Sequence, residues 1–176
     1  MRIVVLLVLA AVLALPAAAK TPPLRETCLT KAEKGRVLRY RSSDGVRLVA
    51  LELGRGPRGV VLVHGYGSDF CEWIGAARRL SRAGYRVLSV DMRNHGSSAP
   101  ARQEARYRID LDVASSAALL RRRGARTIVL MGSSMGASAV IAGGAIASPP
   151  VDGVISLSSP AALPVLDVEA SARRLR

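Results

Sequence analysis

The sequence predicts an α/β protein with a mostly parallel, twisted sheet and helices on both faces. Two observations carry this prediction. Short apolar runs, typical of buried strands, alternate along the chain with segments of helical periodicity, and this alternation implies right-handed βαβ crossovers. Several of the apolar runs also end in glycine and polar residues, which would gather at the carboxyl edge of the sheet, where such folds carry their sites.

The first 19 residues have the pattern of a secretory signal peptide. Arg2 supplies the positive region, residues 3–16 are almost wholly apolar, and Ala17-Ala18-Ala19 matches a small-residue cleavage site. Because the apolar stretch is shorter than the ~20 residues that span a bilayer, a retained membrane anchor is the alternative. We therefore expect a secreted, extracytoplasmic protein with no integral membrane span after cleavage.

Residues 20–35 are expected to form a polar N-terminal arm, and residues 36–176 the core. A hairpin opens the core, since apolar residues alternate on both sides of Ser43-Asp44-Gly45, an Asp-Gly turn between two strands. Cys28 in the arm and Cys71 in the core are the only cysteines. In an exported protein they are candidates for a disulfide, with two unpaired thiols as the alternative.

Beyond the hairpin, four apolar runs predict strands and three periodic segments predict helices. Gly84 and Gly124 follow the first two helices and end them. The tail from Pro160 has some helical character. The strands are expected at 59–65, 85–92, 127–132 and 151–157, and the helices at 71–83, 107–123 and 135–147.

The chain is strongly basic, with 26 Lys and Arg against 13 Asp and Glu and a net charge of +13. This balance suits nucleic acid or an anionic envelope polymer. The basic residues are scattered, however, and the aromatic residues that stack bases make up 3% of the chain. We expect no nucleic-acid partner and at most loose association with anionic cell-envelope polymers. Two cysteines and two histidines at these spacings match no zinc pattern, so no metal or other cofactor is expected.

A Gly-x-Ser-x-Gly motif, Gly132 to Gly136, lies between a predicted strand and a predicted helix. This arrangement makes Ser134 a candidate nucleophile. A serine on a tight strand-to-helix turn needs neighbours without side chains, because a Cβ would clash where the chain folds back. Met135 then opens the helix, so its backbone N–H is free to face a developing oxyanion.

Three motifs, in this order and spacing, resemble those of the α/β-hydrolase family, in its serine esterase and lipase branch. His64-Gly65-Tyr66-Gly67 follows the third strand, as the family's His-Gly oxyanion loop does. The stretch from Asp91 to Ser98 is similar to the family's Asp-x-Arg-Gly-His-Gly-x-Ser loop, with Asn94 in place of the usual Gly. Asn tolerates left-handed backbone angles, so this departure is mild. The motif at 132–136 is the third, and the resemblance spans about residues 36–160.

The resemblance implies a secreted carboxylic ester hydrolase that acts on a small-molecule ester through an acyl-enzyme on Ser134. It also implies an oxyanion hole formed by the backbone N–H groups of Met135 and Tyr66. Removing one such donor typically slows the reaction by ~10²–10³. Both histidines of the chain would brace loops rather than act as the base. The loop-bracing residues would be His64, Gly65, Asp91 and His95.

The catalytic acid and base cannot be assigned from the sequence. A serine hydrolase needs a base within ~3 Å of its nucleophile, and in this fold the chain order is Ser, then acid, then His. No histidine follows Ser134. Asp152 precedes a strand and so points to the wrong end of the sheet, while Asp167 and Glu169 lie in the tail. Recruiting His95 would require it to leave its loop.

The length of the chain agrees with this gap. α/β domains of comparable design often run to roughly 200–250 residues, longer than residues 20–176. We expect the chain to be the N-terminal portion of a hydrolase, lacking the final strands and helices, and so weakly active or inactive by itself. A stand-alone relic, or a degenerate, non-catalytic binding module, is the alternative. The strand at 154–157 would then form an unpaired sheet edge.

Overall fold

The computed structural model describes residues 23–160 and 163–175, so the signal peptide predicted at 1–19 lies outside the described residues. Six strands and five helices are found in these ranges. The strands are β1 (Val37–Arg41), β2 (Arg47–Leu53), β3 (Arg58–Val63), β4 (Tyr85–Asp91), β5 (Thr127–Ser133) and β6 (Gly153–Leu157). The helices are α1 (Lys31–Lys34), α2 (Ile74–Arg82), α3 (Ile109–Arg122), α4 (Met135–Ile146) and α5 (Val168–Ala172).

All six strands belong to one sheet in the order β1-β2-β4-β3-β5-β6. The hairpin strands are antiparallel to each other, and β2 is antiparallel to β4. The pairs that β3 forms with β4 and β5, and the pair of β5 with β6, are parallel. The register sets Val63 opposite both Val90 and Gly132. Four parallel strands therefore end together, which brings their following residues to one edge.

Each face of the sheet has its own core. On one face, α3 and α4 cover apolar residues of the central strands, including Val61, Leu88 and Leu130. On the other face, α2 and the 3-10 turn Phe70–Trp73 cover Leu62 and Val87. Because helices bury both faces, the central strands are continuous apolar runs rather than alternating ones.

The predicted fold class is confirmed, with small differences in element boundaries. The helix predicted at 71–83 begins as a 3-10 turn and becomes regular only at Ile74, because the Asp69 carboxylate accepts a hydrogen bond from the Cys71 N–H at 2.7 Å and caps the turn. The helix predicted at 107–123 spans α3 only. The last strand begins at Gly153, because Asp152 instead uses its carboxylate to accept a hydrogen bond from the Ile128 N–H.

The part of the N-terminal arm that is described is held against the core. Cys28 and Cys71 form a disulfide with a Cα–Cα distance of 5.8 Å. The sequence pattern did not predict α1. This helix begins with a capping box, in which the side chains of Thr30 and Glu33 each accept a hydrogen bond from the other residue's backbone N–H. Glu33 also forms an ion pair with Arg78 of α2 at 2.7 Å. No helix of the described ranges is long and apolar enough to cross a membrane.

Candidate nucleophile elbow and oxyanion loop

Ser134 lies on the turn that joins β5 to α4. Its backbone angles are φ 50° and ψ −118°, a conformation that L-residues rarely adopt. Its side chain does not cap the helix, and its own N–H donates to the Leu157 carbonyl at 2.9 Å. The Ser134 N–H is therefore occupied, while its hydroxyl is left for other partners.

The two motif glycines allow the tight packing around this turn. A Cβ added at Gly132 would overlap the carbonyl oxygen of Gly136. A Cβ added at Gly136 would overlap the carbonyl oxygens of Val63 and His64, at the end of β3. The close approach of α4 to β3 and β5 thus depends on the absence of side chains at both positions.

The His64-Gly65-Tyr66 segment lies directly against the turn. A Cβ added at Gly65 would lie 3.5 Å from the Ser134 Cβ and 3.6 Å from the Ser133 Oγ. Tyr66, the next residue, is 82% exposed. The structure therefore brings Ser134, Met135 and Tyr66, the residues predicted for acyl chemistry, to the carboxyl edge of the sheet.

Glu72 joins the two halves of this arrangement, and sequence reasoning missed it. Its Oε2 accepts a hydrogen bond from the Gly65 N–H at 2.9 Å. Its Oε1 accepts a short hydrogen bond from the Ser133 hydroxyl. One carboxylate thereby fixes the spacing between the His64–Tyr66 segment and the turn that carries Ser134. The only signal in the sequence was the proximity of Glu72 to the His-Gly motif.

His64 is fully buried and makes two hydrogen bonds. Its Nε2 accepts from the Met92 N–H at 3.2 Å, so Nδ1 carries the proton and donates to the Gly65 carbonyl at 2.7 Å. Burial, together with the nearby His95, lowers the pKa of His64. A neutral His64 thus joins the start of the oxyanion loop to the loop that follows β4.

His95 lies next to His64, with ring centroids 5.1 Å apart. Its Nδ1 lies 2.9 Å from the Arg93 carbonyl, which fixes Nδ1 as the donor. Its ring also contacts the ring of Tyr66 edge-on at 5.7 Å. His95 therefore occupies the centre of its own loop, with one ring nitrogen already used there.

Asp91 organises the loop that follows β4. Its carboxylate accepts hydrogen bonds from the Phe70 N–H at 2.7 Å and the Ser97 N–H at 2.8 Å. Burial, and then a hydrogen bond with Glu26, raises the pKa of Asp91 to about 9. The Asp91 carboxyl is thus protonated at neutral pH.

Glu26, from the N-terminal arm, is the partner of this proton. Burial by itself would raise the pKa of Glu26, but hydrogen bonds from Asp91 and from the Ser97 hydroxyl outweigh it and lower the pKa. Because one group carries the proton and the other the charge, the pair resembles a buried acid–carboxylate couple rather than two repelling anions.

Arg93, in the same loop, is fully buried. It pairs with Asp112 of α3 at 2.7 Å and with Asp44 of the hairpin turn at 2.7 Å. These contacts anchor the loop to two separate elements. The sequence placed Arg93 in a motif but gave no sign of its two partners, which lie 19 and 49 residues away.

The acidic residues weighed as catalytic acids have structural partners instead. Asp152 holds the start of β6, Asp167 caps α5 by accepting from the Ala170 N–H, and Glu169 pairs with Arg173. In the part of the chain that the structure describes, no three His, Cys, Asp or Glu side chains are grouped so that they could hold a metal ion.

Comparison with curated proteins finds several hydrolases. Bifunctional epoxide hydrolase 2 from Sus scrofa is 33% identical over 92 residues, which are 52% of this chain and 16% of that protein. A Pseudomonas putida 2-hydroxy-6-oxononadienedioate/2-hydroxy-6-oxononatrienedioate hydrolase is 31% identical over 118 residues, which are 65% of this chain and 41% of the relative. The chain thus spans less than half the length of either relative.

Solved structures agree on the fold. Epoxide hydrolase A from Mycobacterium thermoresistibile superposes with a TM-score of 0.58 at 32% identity, covering 67% of this chain and 37% of that chain. An esterase from Pyrococcus furiosus has a TM-score of 0.65 at 23% identity, covering 81% and 57%. The family model described as the alpha/beta hydrolase fold matches residues 59–175, more than half of the sequence. This chain, with its Gly-x-Ser-x-Gly turn at the carboxyl edge of the sheet, belongs to the α/β-hydrolase family.

Proposed function

We propose that the chain carries the nucleophile and the oxyanion site of a serine hydrolase that acts on carboxylic esters. The observation that carries this proposal is the backbone of Ser134, which holds a hydroxyl on a strained turn between β5 and α4. Strain of this kind persists where the surrounding structure enforces it, and it is concentrated at functional sites.

In the proposed reaction, the Ser134 oxygen attacks the ester carbonyl carbon as a base removes its proton. The carbonyl electron pair moves to oxygen, and the oxyanion accepts hydrogen bonds from the backbone N–H groups of Met135 and Tyr66. Collapse expels the alcohol, which takes up the proton, and leaves an acyl-enzyme. Water then attacks the acyl carbon and releases the carboxylic acid with Ser134 restored.

Serine at this position favours acyl substrates over epoxides. If the Ser134 oxygen opened an epoxide, the product would be an ether to the enzyme, which water does not cleave under these conditions. An acyl-enzyme is an ester, which water does cleave. The similar proteins include both an epoxide hydrolase and an esterase. The chemistry of a hydroxyl nucleophile supports ester cleavage.

We propose that neither histidine of the chain is the catalytic base. Support comes from the two histidines of the chain, because His64 uses both ring nitrogens in its hydrogen bonds and His95 uses Nδ1 to hold its own loop. Because both histidines hold their own loops, a second candidate is a non-catalytic module that keeps the turn at Ser134 but only binds a ligand.

Chemical rescue distinguishes the two candidates. The chain from residue 20 onward is treated with a fluorophosphonate probe, with and without added imidazole as an external base. We expect slow labelling that imidazole accelerates, because the nucleophile is positioned but lacks its base. Mass spectrometry should place the adduct on Ser134. Ser134→Ala should abolish labelling, whereas Ser171→Ala, in α5 and away from the turn, is the control and should keep it.

Other outcomes of this experiment decide against parts of the proposal. Absence of labelling even with imidazole would support the binding module. Loss of labelling in His95→Ala, restored by imidazole, would show that His95 is the base. Faster turnover of styrene oxide than of 4-nitrophenyl acetate would contradict the ester assignment.

We also propose that the protein is exported through cleavage after Ala19. This rests on the charge and hydropathy pattern of residues 1–19 alone. Expression of the whole sequence in a secreting bacterial host, followed by N-terminal mass analysis of the exported fraction, should give a chain that begins at Lys20. Recovery of an uncleaved, membrane-bound chain would favour the anchor instead.

A further inference from the structure

Glu72 places a carboxylate close to the side chain of Ser134. A Cβ built on Gly65 would lie 3.5 Å from the Glu72 Oε2 and 3.5 Å from the Ser134 Cβ. The two side chains therefore border the same small space, and both residues are exposed. A molecule that reaches the Ser134 hydroxyl comes close to the Glu72 carboxylate.

The charge of Glu72 is not neutralised by an ion pair. Within residues 23–160 and 163–175, no lysine or arginine pairs with Glu72, although this strongly basic chain pairs several other carboxylates with arginine. Those carboxylates belong to Glu33, Asp44, Glu52, Asp110, Asp112 and Glu169. Each oxygen of Glu72 accepts one hydrogen bond, from the Gly65 N–H or from the Ser133 hydroxyl. Because a carboxylate oxygen can accept two, both oxygens can also face a cation.

The charge beside Ser134 is opposite in sign to the charge of the whole chain, which is +13. The carboxylates of Glu72 and Asp69 both act on His64, where they oppose the lowering of its pKa. The net charge attracts anions from a distance, but salt screens that attraction over ~8 Å at physiological ionic strength. A charged group close to the reacting carbon would therefore respond mainly to the Glu72 carboxylate.

Tyr66 adds an exposed aromatic ring next to this carboxylate. Tyr66 directly follows Gly65, and its side chain is 82% exposed. Its ring contacts the ring of His95 edge-on, with the centroids 5.7 Å apart. The face of an aromatic ring attracts a cation that lies within ~6 Å of the centroid. A carboxylate and an open aromatic ring together provide the chemistry that recognises an ammonium group.

We propose that Glu72, with the ring of Tyr66, selects substrates that carry an ammonium group a few atoms from the acyl carbon. This inference rests on the proposed function of Ser134 and specifies the substrate class of that site. A unit charge several ångströms from a carboxylate in water changes the strength of binding about threefold. A cationic substrate gains this factor and an anionic substrate loses it, so Glu72 should shift the preference between them about tenfold.

The test compares three thioacetates of similar shape, with imidazole added as an external base. They are acetylthiocholine, which is cationic, neohexyl thioacetate, which is its neutral isostere, and acetylthioethanesulfonate, which is anionic. The Ser134 oxygen takes the acetyl group, the C–S bond breaks, and the thiol leaves with the serine proton, which imidazole carries. A chromogenic thiol reagent follows the released thiol, and the Cys28–Cys71 disulfide does not react with it.

The measured quantity is the ratio of kcat/KM values for two substrates on the same protein, after the rate of the Ser134→Ala chain is subtracted. Glu72→Gln removes the charge but keeps an oxygen that can accept from the Gly65 N–H. It should lower the ratio of acetylthiocholine to acetylthioethanesulfonate about tenfold. A general loss of activity cancels in this ratio, so a purely structural role of Glu72 would leave it unchanged.

Two further variants complete the design. Tyr66→Leu keeps the backbone N–H and should lower the ratio of acetylthiocholine to neohexyl thioacetate by roughly twofold to fivefold. The matched control is Glu169→Gln, which removes one negative charge from the exposed surface of α5. At physiological salt it should leave both ratios within about 1.5-fold of the wild-type values, because distant charges are screened.

The outcomes separate this inference from the proposed function. Cleavage of neohexyl thioacetate no faster than in the Ser134→Ala chain would refute the proposed function, and the inference with it. Cleavage with the same ratios in the wild-type and Glu72→Gln chains would leave the function of Ser134 intact and refute the role of Glu72. A wild-type preference for acetylthioethanesulfonate, or an equal shift in Glu169→Gln, would show that net charge governs the choice of substrate.

Discussion

The strain at Ser134 can be measured without knowing the substrate. An L-residue at φ 50° and ψ −118° costs of order 1–3 kcal/mol relative to relaxed backbone. Glycine removes this strain but loses about 0.5–1 kcal/mol more backbone entropy on folding. Alanine keeps the strain and only deletes the hydroxyl, which does not cap α4. We therefore expect Ser134→Gly to be more stable than Ser134→Ala by about 1 kcal/mol, the difference between the middles of the two ranges.

Urea unfolding, followed by the fluorescence of Trp73, the only tryptophan, measures the difference as a shift in midpoint at unchanged slope. The control is an exposed position in ordinary helix. Arg79 in the middle of α2 should show the opposite order, with Arg79→Gly about 1 kcal/mol less stable than Arg79→Ala. The reasoning fails if Ser134→Gly is no more stable than Ser134→Ala while the Arg79 pair behaves as expected.

Two further predictions concern contacts of the N-terminal arm with the core: the Cys28–Cys71 disulfide, and Asp91, which is buried beside Glu26 of the arm. Reducing the Cys28–Cys71 disulfide, which spans 43 residues, should lower the free energy of unfolding by about 4 kcal/mol on the loop-closure model. Reductant should therefore shift the urea midpoint of the wild-type chain but not that of a Cys28→Ser/Cys71→Ser chain. A loss of less than about 1 kcal/mol in the free energy of unfolding would contradict the model. The pKa of Asp91 is raised to about 9 in the folded state, from about 3.9 in the unfolded chain. Between these two pH values the folded state binds more protons than the unfolded state. The free energy of unfolding should therefore fall as pH rises through this range and level off above it. Asp91→Asn should flatten the decline in urea midpoint between pH 7 and pH 9, and an equal decline in both chains would show that Asp91 does not hold this proton.

Much of the fold could be predicted because its signals are local. A buried strand such as β3 is a short apolar run, and a helix such as α2 repeats its apolar residues at helical spacing. The order of these elements predicts a mostly parallel sheet, since successive strands are joined by helical crossovers. The turn at Ser134 could also be predicted, because only glycine fits at the two positions where α4 approaches the strands closely.

The boundaries of the helices, and the side-chain contacts that hold the loops, were harder to predict from the sequence. The 3-10 start before α2 depends on the side chain of Asp69, which a periodicity cannot show. The capping box of α1 was present in the sequence as Thr30 and Glu33 three residues apart, and a search for that pattern would have found the helix. Glu72 offered no such pattern, because its partners become neighbours only when β3 and β5 pair.

The sequence by itself determined the order of strands and helices, the strand-to-helix turn at Ser134 and the two loops that contain histidine, because each depends on the spacing of a few adjacent residues. Only the tertiary structure decided which distant charges meet. Burial beside Glu26, 65 residues away in the sequence, keeps Asp91 protonated, and the buried Arg93 meets Asp112 only because α3 packs against the sheet. Electrostatic energies depend on separation and burial in space, and neither is encoded in the neighbouring letters of the chain.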